Sequence, residues 1–143
     1  EKYNFKLLVI GGKKYEANVN FEIEFIPWSL DTEVESLYKI DVGLMPLEDD
    51  LVNRGKSGFK LIQYMGLGIV SVASGITINN EIIDDKINSY VVSSDEEWES
   101  VLTEILERRI DFKEMGKLAK QKIENNYTFK ANFDRYYNFV KTN

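Results

Sequence analysis

Between Asn53 and Gln63 the chain reads NRGKSGFKLIQ, a run whose residue types suit anion chemistry. Arg54, Lys56 and Lys60 gather positive charge around Ser57 and Gly58 in a chain whose formal net charge is −6. If a helix runs from about Ser57 to Leu67, its first turn carries N–H groups with no intrahelical acceptor and the positive end of the peptide dipoles. Small residues at that point let an anion come close, and the spread of cations around it fits a diphosphate. Lys60 and Gln63 are three apart and share a helix face that would look at the ligand. Phe59, Leu61, Ile62, Met65 and Leu67 cover most of the remaining surface, as in a helix wedged between a sheet and its neighbours. Lysines of this kind are also ordinary surface residues. The elements around them are needed to decide.

Those elements alternate. Leu7 to Ile10 is a continuous apolar run closed by Gly11 and Gly12, which predicts a strand buried on both faces and ended by a tight turn. Phe21 to Ile26 predicts a second strand with one partly wet face, stopped by Pro27. Thr32 and Glu35 stand at capping-box spacing, so a helix is expected over Asp31 to Lys39. Val42 to Pro46 and Ile69 to Ala73 read as a third and a fourth strand, and Tyr90 to Val92 as a short fifth. From Ser94 onward the period becomes helical: a capping box at Ser94 and Glu97 precedes an apolar face of Trp98, Val101, Leu102, Ile105 and Leu106. Phe112, Met115, Ala119 and Ile123 form a second such face. Phe129, Phe133, Tyr136, Tyr137 and Val140 form a third, read as core. The alternation predicts an α/β fold: a Rossmann-like, mostly parallel sheet of about five strands flanked by helices, with a helical tail.

Composition narrows the chemistry. With 143 residues and 43% hydrophobic content, one core in one domain is expected. There is no cysteine and no histidine, so the chain has no disulfide, no thiolate metal site and no imidazole to act as general base. No apolar run reaches the roughly 18 residues of a membrane span, and the first residues lack a signal-peptide layout. A soluble, cytoplasmic protein is expected. The acidic balance, including the stretch Asp95 to Glu99, argues against a broad nucleic-acid surface.

Taken in order, Val9 to Gly12, the acidic helix and strand ending at Asp41 to Leu47, Phe59 to Leu67, Val72-Ala73-Ser74, Asn79 to Ile83 and Tyr127 to Phe129 form a set. This set resembles the C-terminal, donor-binding domain of the group 1 retaining glycosyltransferases of GT-B fold. The resemblance implies that residues 1–143 are one donor-binding domain, incomplete on its N-terminal side. It also implies an enzyme, of hexosyltransferase type, that moves a sugar from a nucleoside-diphosphate sugar to an acceptor, in surface polysaccharide or glycoconjugate synthesis. A separate acceptor-binding N-terminal domain would be a partner in the same protein. The isolated piece is expected not to turn over, and peripheral membrane association of the full-length enzyme is compatible with the resemblance.

The family's signature is a pair of glutamates, and this sequence departs from it: alignment on Gln63-Tyr64-Met65 puts Gly55 at the first glutamate and Gln63 at the second. It is similar instead to the subgroup with Gly-Lys-Ser ahead of Phe-Lys. The resemblance then implies that Arg54, Lys56, Ser57, Gly58 and Lys60 hold the diphosphate and stabilise it as leaving group, and that Gln63 contacts the ribose. Asn53 and Gly55 would lie toward the donor sugar. Pro27, Trp28 and Leu30 would wall the nucleobase. No cofactor is expected beyond the donor substrate, and no metal: Asp49 and Asp50, adjacent in an acidic loop, read as solvated rather than ligating. Two other readings compete. A non-catalytic nucleotide-sugar binding or scaffold domain is compatible with the missing glutamates. A flavodoxin-like receiver module needs carboxylates after its first strand, where this chain has Gly11-Gly12-Lys13.

Overall fold

A computed structural model describes residues 3–14, 16 and 18–142. The chain divides into two compact units, residues 1–41 and 42–143, and each is described by itself.

The first unit pairs β1 (Lys6–Ile10) with β2 (Glu22–Ile26) in parallel, with Leu8 opposite Glu24 and Ile10 opposite Ile26. The ladder continues past the strand end, where the Gly11 N–H donates to the Ile26 carbonyl at 3.0 Å. β1 is half-buried rather than sealed on both faces. The ion pair from Lys6 Nζ to Glu24 (2.6 Å) runs across the two strands, and each partner favours the other's charged form, so the Glu24 carboxyl is held below its usual range and the Lys6 ammonium above. α1 (Glu33–Leu37) is shorter than the predicted helix. Its capping box does not form, because the Thr32 hydroxyl turns to Ser29 Oγ (3.3 Å) and makes no bond to the helix.

The second unit carries a parallel sheet in the order β3 (Val42–Met45), β4 (Val70–Ser74), β5 (Tyr90–Val92). Among the described residues there are therefore five strands, as the sequence predicts, split between sheets of two and three. Every residue of β4 is buried, as expected of a central strand covered on both faces. The side chains alternate between two cores. Met45 and Ala73 join Leu61 and Met65 of α3 (Phe59–Gly66), Ile82 of α4 (Thr77–Ile82), and Ala119 and Ile123 of α6 (Phe112–Asn126). Val70, Val72, Tyr90 and Val92 face the other way, onto Val101 and Ile105 of α5 (Asp95–Leu106).

α5 starts where the sequence predicts, with the Ser94 hydroxyl accepting from the Glu97 N–H, and α6 is capped by the Asp111 carboxylate, which accepts from the N–H groups of Lys113 and Glu114. α2 (Leu51–Arg54) and α4 were not anticipated. Two apolar assignments are corrected. Phe59 is 60% exposed. The aromatic face of α7 (Phe129–Thr142) is not core either: Phe129, Phe133, Tyr136, Tyr137 and Val140 are all exposed. Phe129, Phe133 and Tyr137 instead lean on one another along the helix, with ring centroids 5.5 and 5.9 Å apart.

The seating of α3 on the sheet thus rests on Leu61 and Met65, both without solvent exposure. Leu61→Ala is expected to cost ~2–5 kcal/mol in urea unfolding, whereas Phe59→Ser should change stability by less than ~0.5 kcal/mol.

Candidate functional site

The three strands of the second unit point the same way, so their C-terminal ends share one rim. α3 ends just upstream of β4, and its N-terminus must therefore lie at that rim. Gly58 confirms it, being packed against Ile78 and Ile82 of α4, the helix that leaves the end of β4. The rim is stitched together by three bonds. The Leu47 N–H donates to Ser74 Oγ (2.8 Å), the Gly75 N–H to the Val92 carbonyl (2.8 Å), and Asn79 Nδ2 to the Ser74 carbonyl (2.9 Å).

Gly58 caps α3 in the left-handed region, at φ +67°. A Cβ there would lie 2.5 Å from Ile82 Cδ1 and 3.3 Å from Ile78 Cγ2. The glycine is thus required by backbone and packing; the open space its small side chain suggested is taken by two isoleucines. Its carbonyl accepts from the N–H groups of Leu61 (2.9 Å) and Ile62 (3.2 Å). The N–H groups of Ser57, Gly58, Phe59 and Lys60 meet no acceptor among the described residues. Helix α3 therefore begins two residues later than its sequence suggests, and its unsatisfied donors are those the sequence places there.

The cations around this helix start differ in their freedom. Lys56 and Lys60 are exposed, and neither meets a carboxylate among the described residues. Arg54 is already engaged: Nε and a terminal nitrogen of its guanidinium donate to the two Asp49 carboxylate oxygens at 2.6 and 2.8 Å. That fork holds the Asp49 carboxyl below its usual range and the Arg54 guanidinium above. An anion recruiting Arg54 has to compete with Asp49. Asn53 is similarly committed, since Asp50 accepts from its backbone N–H (2.7 Å) and its Nδ2 (3.0 Å) while capping α2. Gly55 ends α2 with an ordinary φ of −84°, and a Cβ there would only touch the Val52 carbonyl at 3.5 Å. Gln63 is half-buried on the same side of α3 as Lys60.

A depression of about 510 Å³ is lined by Asp49, Asp50, Leu51, Val52 and Arg54, that is, by α2 and the loop before it, and by none of the residues from Lys56 to Lys60. Pro27, Trp28 and Leu30 belong to the first unit, where all three are exposed in the loop after β2. The Trp28 indole N–H donates to Glu33 Oε1 at 2.9 Å, which fixes one edge of the ring. Sequence reasoning missed Asn79, which is fully buried on the rim with its Oδ1 lacking any hydrogen-bond partner among the described residues. Its only signal was polarity directly after the buried strand and turn.

A parallel α/β unit that opens a helix with free N–H groups and unpaired lysines at the strands' C-terminal rim has the geometry with which open α/β sheets can receive an anion. Residues 1–108 match the family model described as glycosyl transferases group 1, and the chain belongs to that family. Its architecture is that of one half of a GT-B glycosyltransferase. The fold is shared with the crystal structure of Anabaena Alr3699/HepE in complex with UDP, at a TM-score of 0.67 and 11% identity over 85% of this chain. The chain spans 33% of that protein. No curated protein matches the sequence.

The two loop glycines should separate under mutation. Gly58→Ala forces a side chain into the left-handed region and against Ile82, and is expected to cost at least ~1–2 kcal/mol. Gly55→Ala should be neutral or stabilising by up to ~1 kcal/mol. Urea unfolding of the pair reads the difference directly.

Proposed function

We propose that this chain is the donor-binding part of a glycosyltransferase that transfers a hexosyl group from a nucleoside-diphosphate sugar to an acceptor. The single observation behind this reading is the run of N–H groups from Ser57 to Lys60, open at the helix start with Lys56 and Lys60 beside them. A diphosphate bound there lies at the positive end of α3. Lys56 and Lys60 supply the nearest mobile charge, and Arg54 joins by exchanging Asp49 for a phosphate oxygen. Gln63, one turn beyond Lys60, is assigned to the ribose hydroxyls. Asn53 and Gly55 are assigned to the sugar side, with the side-chain Oδ1 of Asn53 as the acceptor that Asp50 leaves free. The exposed Pro27, Trp28 and Leu30 are assigned to the nucleobase.

The chemical contribution follows from charge. As the bond between the sugar C1 and the diphosphate oxygen breaks, negative charge builds on the leaving nucleoside diphosphate. Fixed N–H dipoles at the helix start, joined by lysines free to turn to it, stabilise the transition state more than the ground state, with no metal required. The acceptor, its binding domain and any attachment to a membrane belong to the rest of the protein, so this piece binds donor without turning it over. Synthesis of surface polysaccharide or glycoconjugate, in the cytoplasm, is the proposed setting. A second reading, a non-catalytic nucleotide-sugar binding module, is favoured by one observation: neither Gly55 nor Gln63 is a carboxylate.

UDP, found in the structural neighbour, is the first ligand to titrate, followed by GDP and ADP. Calorimetry should show binding of one of them, weakened about ten- to a hundredfold in Lys60→Ala, as loss of a charged hydrogen bond implies. Trp28→Phe should abolish the tryptophan fluorescence response. A folded sample indifferent to all three nucleotides overturns the assignment. In the full-length protein Lys60→Ala should lower kcat about a hundredfold, and nucleotide binding without any sugar transfer would favour the non-catalytic module.

A further inference from the structure

The turn that carries the chain from β4 into α4, at the same rim as the start of α3, is held at a cost. Asn79 is fully buried, and while its Nδ2 donates to the Ser74 carbonyl (2.9 Å), its Oδ1 meets no donor among the described residues. A buried acceptor left unpaired opposes folding. Two residues earlier, Thr77 stands at φ +28°, on the left-handed side that a β-branched residue rarely takes. Strained dihedrals of this kind persist only where the surroundings impose them.

The core does not require either feature. The Ser74 carbonyl also accepts from the Ile76 N–H (2.8 Å), so it would stay paired without the amide. A leucine at position 79 would remove the unpaired oxygen at nearly the same volume. What the amide supplies is a second fixed point, tying α4 back to the residue that ends β4. Ser74 is itself anchored, its Oγ accepting from the Leu47 N–H (2.8 Å). Gly75 is anchored as well, its N–H donating to the Val92 carbonyl (2.8 Å) and a Cβ there meeting Ser93 Oγ at 2.7 Å. The clamp therefore ties α4 to a point connected to the ends of all three strands.

Between the strained dihedral and the clamp stands Ile78. Its Cγ2 and Cγ1 lie 3.3 and 3.6 Å from the place a Gly58 Cβ would occupy, so the position of Ile78 sets where Gly58 can sit. Gly58 in turn places the unsatisfied N–H groups from Ser57 to Lys60. We propose that Asn79 is a positioning residue for the anion site: its amide holds the turn from Ser74 to Asn79 against the strain at Thr77, so that Ile78 supports Gly58 and the four N–H groups stay in place. The inference rests on the donor-site reading of that helix start, and adds to it a residue buried too deeply to touch the ligand.

Two measurements on the whole chain test it. Calorimetry with UDP should show Asn79→Leu binding about tenfold more weakly, at a urea midpoint no lower than that of the unchanged chain. Ile78→Ala removes the contact through which Asn79 acts, so it should produce a similar loss, and the double variant should lose no more than the larger single loss. Amide hydrogen exchange reads the same link without a ligand. The Leu61 and Ile62 N–H groups, which donate to the Gly58 carbonyl, should exchange about tenfold faster in Asn79→Leu, while those of β4 keep their protection. Asn79→Ala serves if the leucine variant fails to fold. A folded variant that binds UDP unchanged, losses that add in the double variant, or exchange that quickens equally in α3 and β4 overturns the proposal. If the unchanged chain binds no nucleotide, the donor-site reading falls instead, and exchange at Leu61 and Ile62 still decides whether Asn79 positions the helix start.

Discussion

The left-handed turn at Gly58, locked against Ile78 and Ile82, is the constraint on which the candidate site depends. It ends the excursion that begins after β3, starts α3 at a fixed point, and leaves the donors ahead of Leu61 without partners. The same contact anchors that helix start to α4 and hence to the end of β4. An anion site made of backbone N–H groups is only as well placed as the backbone itself, and here the placement comes from apolar packing rather than from side-chain hydrogen bonds. That division suits a phosphate site. The isoleucines hold the geometry from below while the amides and the two lysines stay uncommitted above, so an anion can be accepted by them before Arg54 has to leave Asp49.

Electrostatics sort the cations of the loop into two kinds. Lys56 and Lys60 are free and hydrated; Arg54 is clamped by Asp49 with both charges in contact with solvent. An exposed pair of this kind contributes little to stability. Its structural effect is to hold a long side chain near one rotamer, which lowers the entropy lost when that side chain later turns to a ligand. Its cost is a carboxylate close to the proposed diphosphate. Because Arg54 keeps Asp49 ionised down to unusually low pH, the pair persists through neutrality and is lost only as pH falls through the lowered Asp49 value.

Where the chain's local patterns were unambiguous, the fold was legible before any coordinates. Continuous apolar runs gave β3, β4 and β5 nearly to the residue, as covered strands do; the run also marked β1, although that strand is only half-buried. Ser94 capped α5 as its spacing implied. The helices that escaped notice, α2 and α4, are too short to establish a period, and α4 carries Asn79-Asn80 where an apolar pattern would have to appear. Thr32 failed as a cap because a second hydroxyl, Ser29, lay within reach. The aromatic stripe of α7 exposes a more general gap. Periodicity identifies which residues share a face, but whether anything covers that face is decided by the rest of the fold. Arg54, Lys56 and Lys60 were all legible as cations, and only their partners distinguished them.

The contrast between Gly55 and Gly58 bears on the missing glutamate pair. Gly58 is obligatory, because no other residue fits its dihedrals and neighbours. Gly55 is not: its φ is ordinary and a Cβ there would make only ordinary contacts, with the Val52 and Leu51 carbonyls at 3.5 and 3.7 Å, so the backbone would accept a larger side chain there. Packing therefore does not explain its absence. A glutamate at that position would sit next to Lys56 and within the same loop as Asp49 and Asp50, adding a third carboxylate beside a diphosphate. Without it the helix start presents Lys56, Lys60 and the amide donors with less opposing charge, which would strengthen the hold on the proposed leaving group. What is given up is a fixed acceptor for sugar hydroxyls. In the proposed enzyme, discrimination among sugars then shifts from this loop to groups elsewhere, while the domain keeps the part of the chemistry that depends on positive charge.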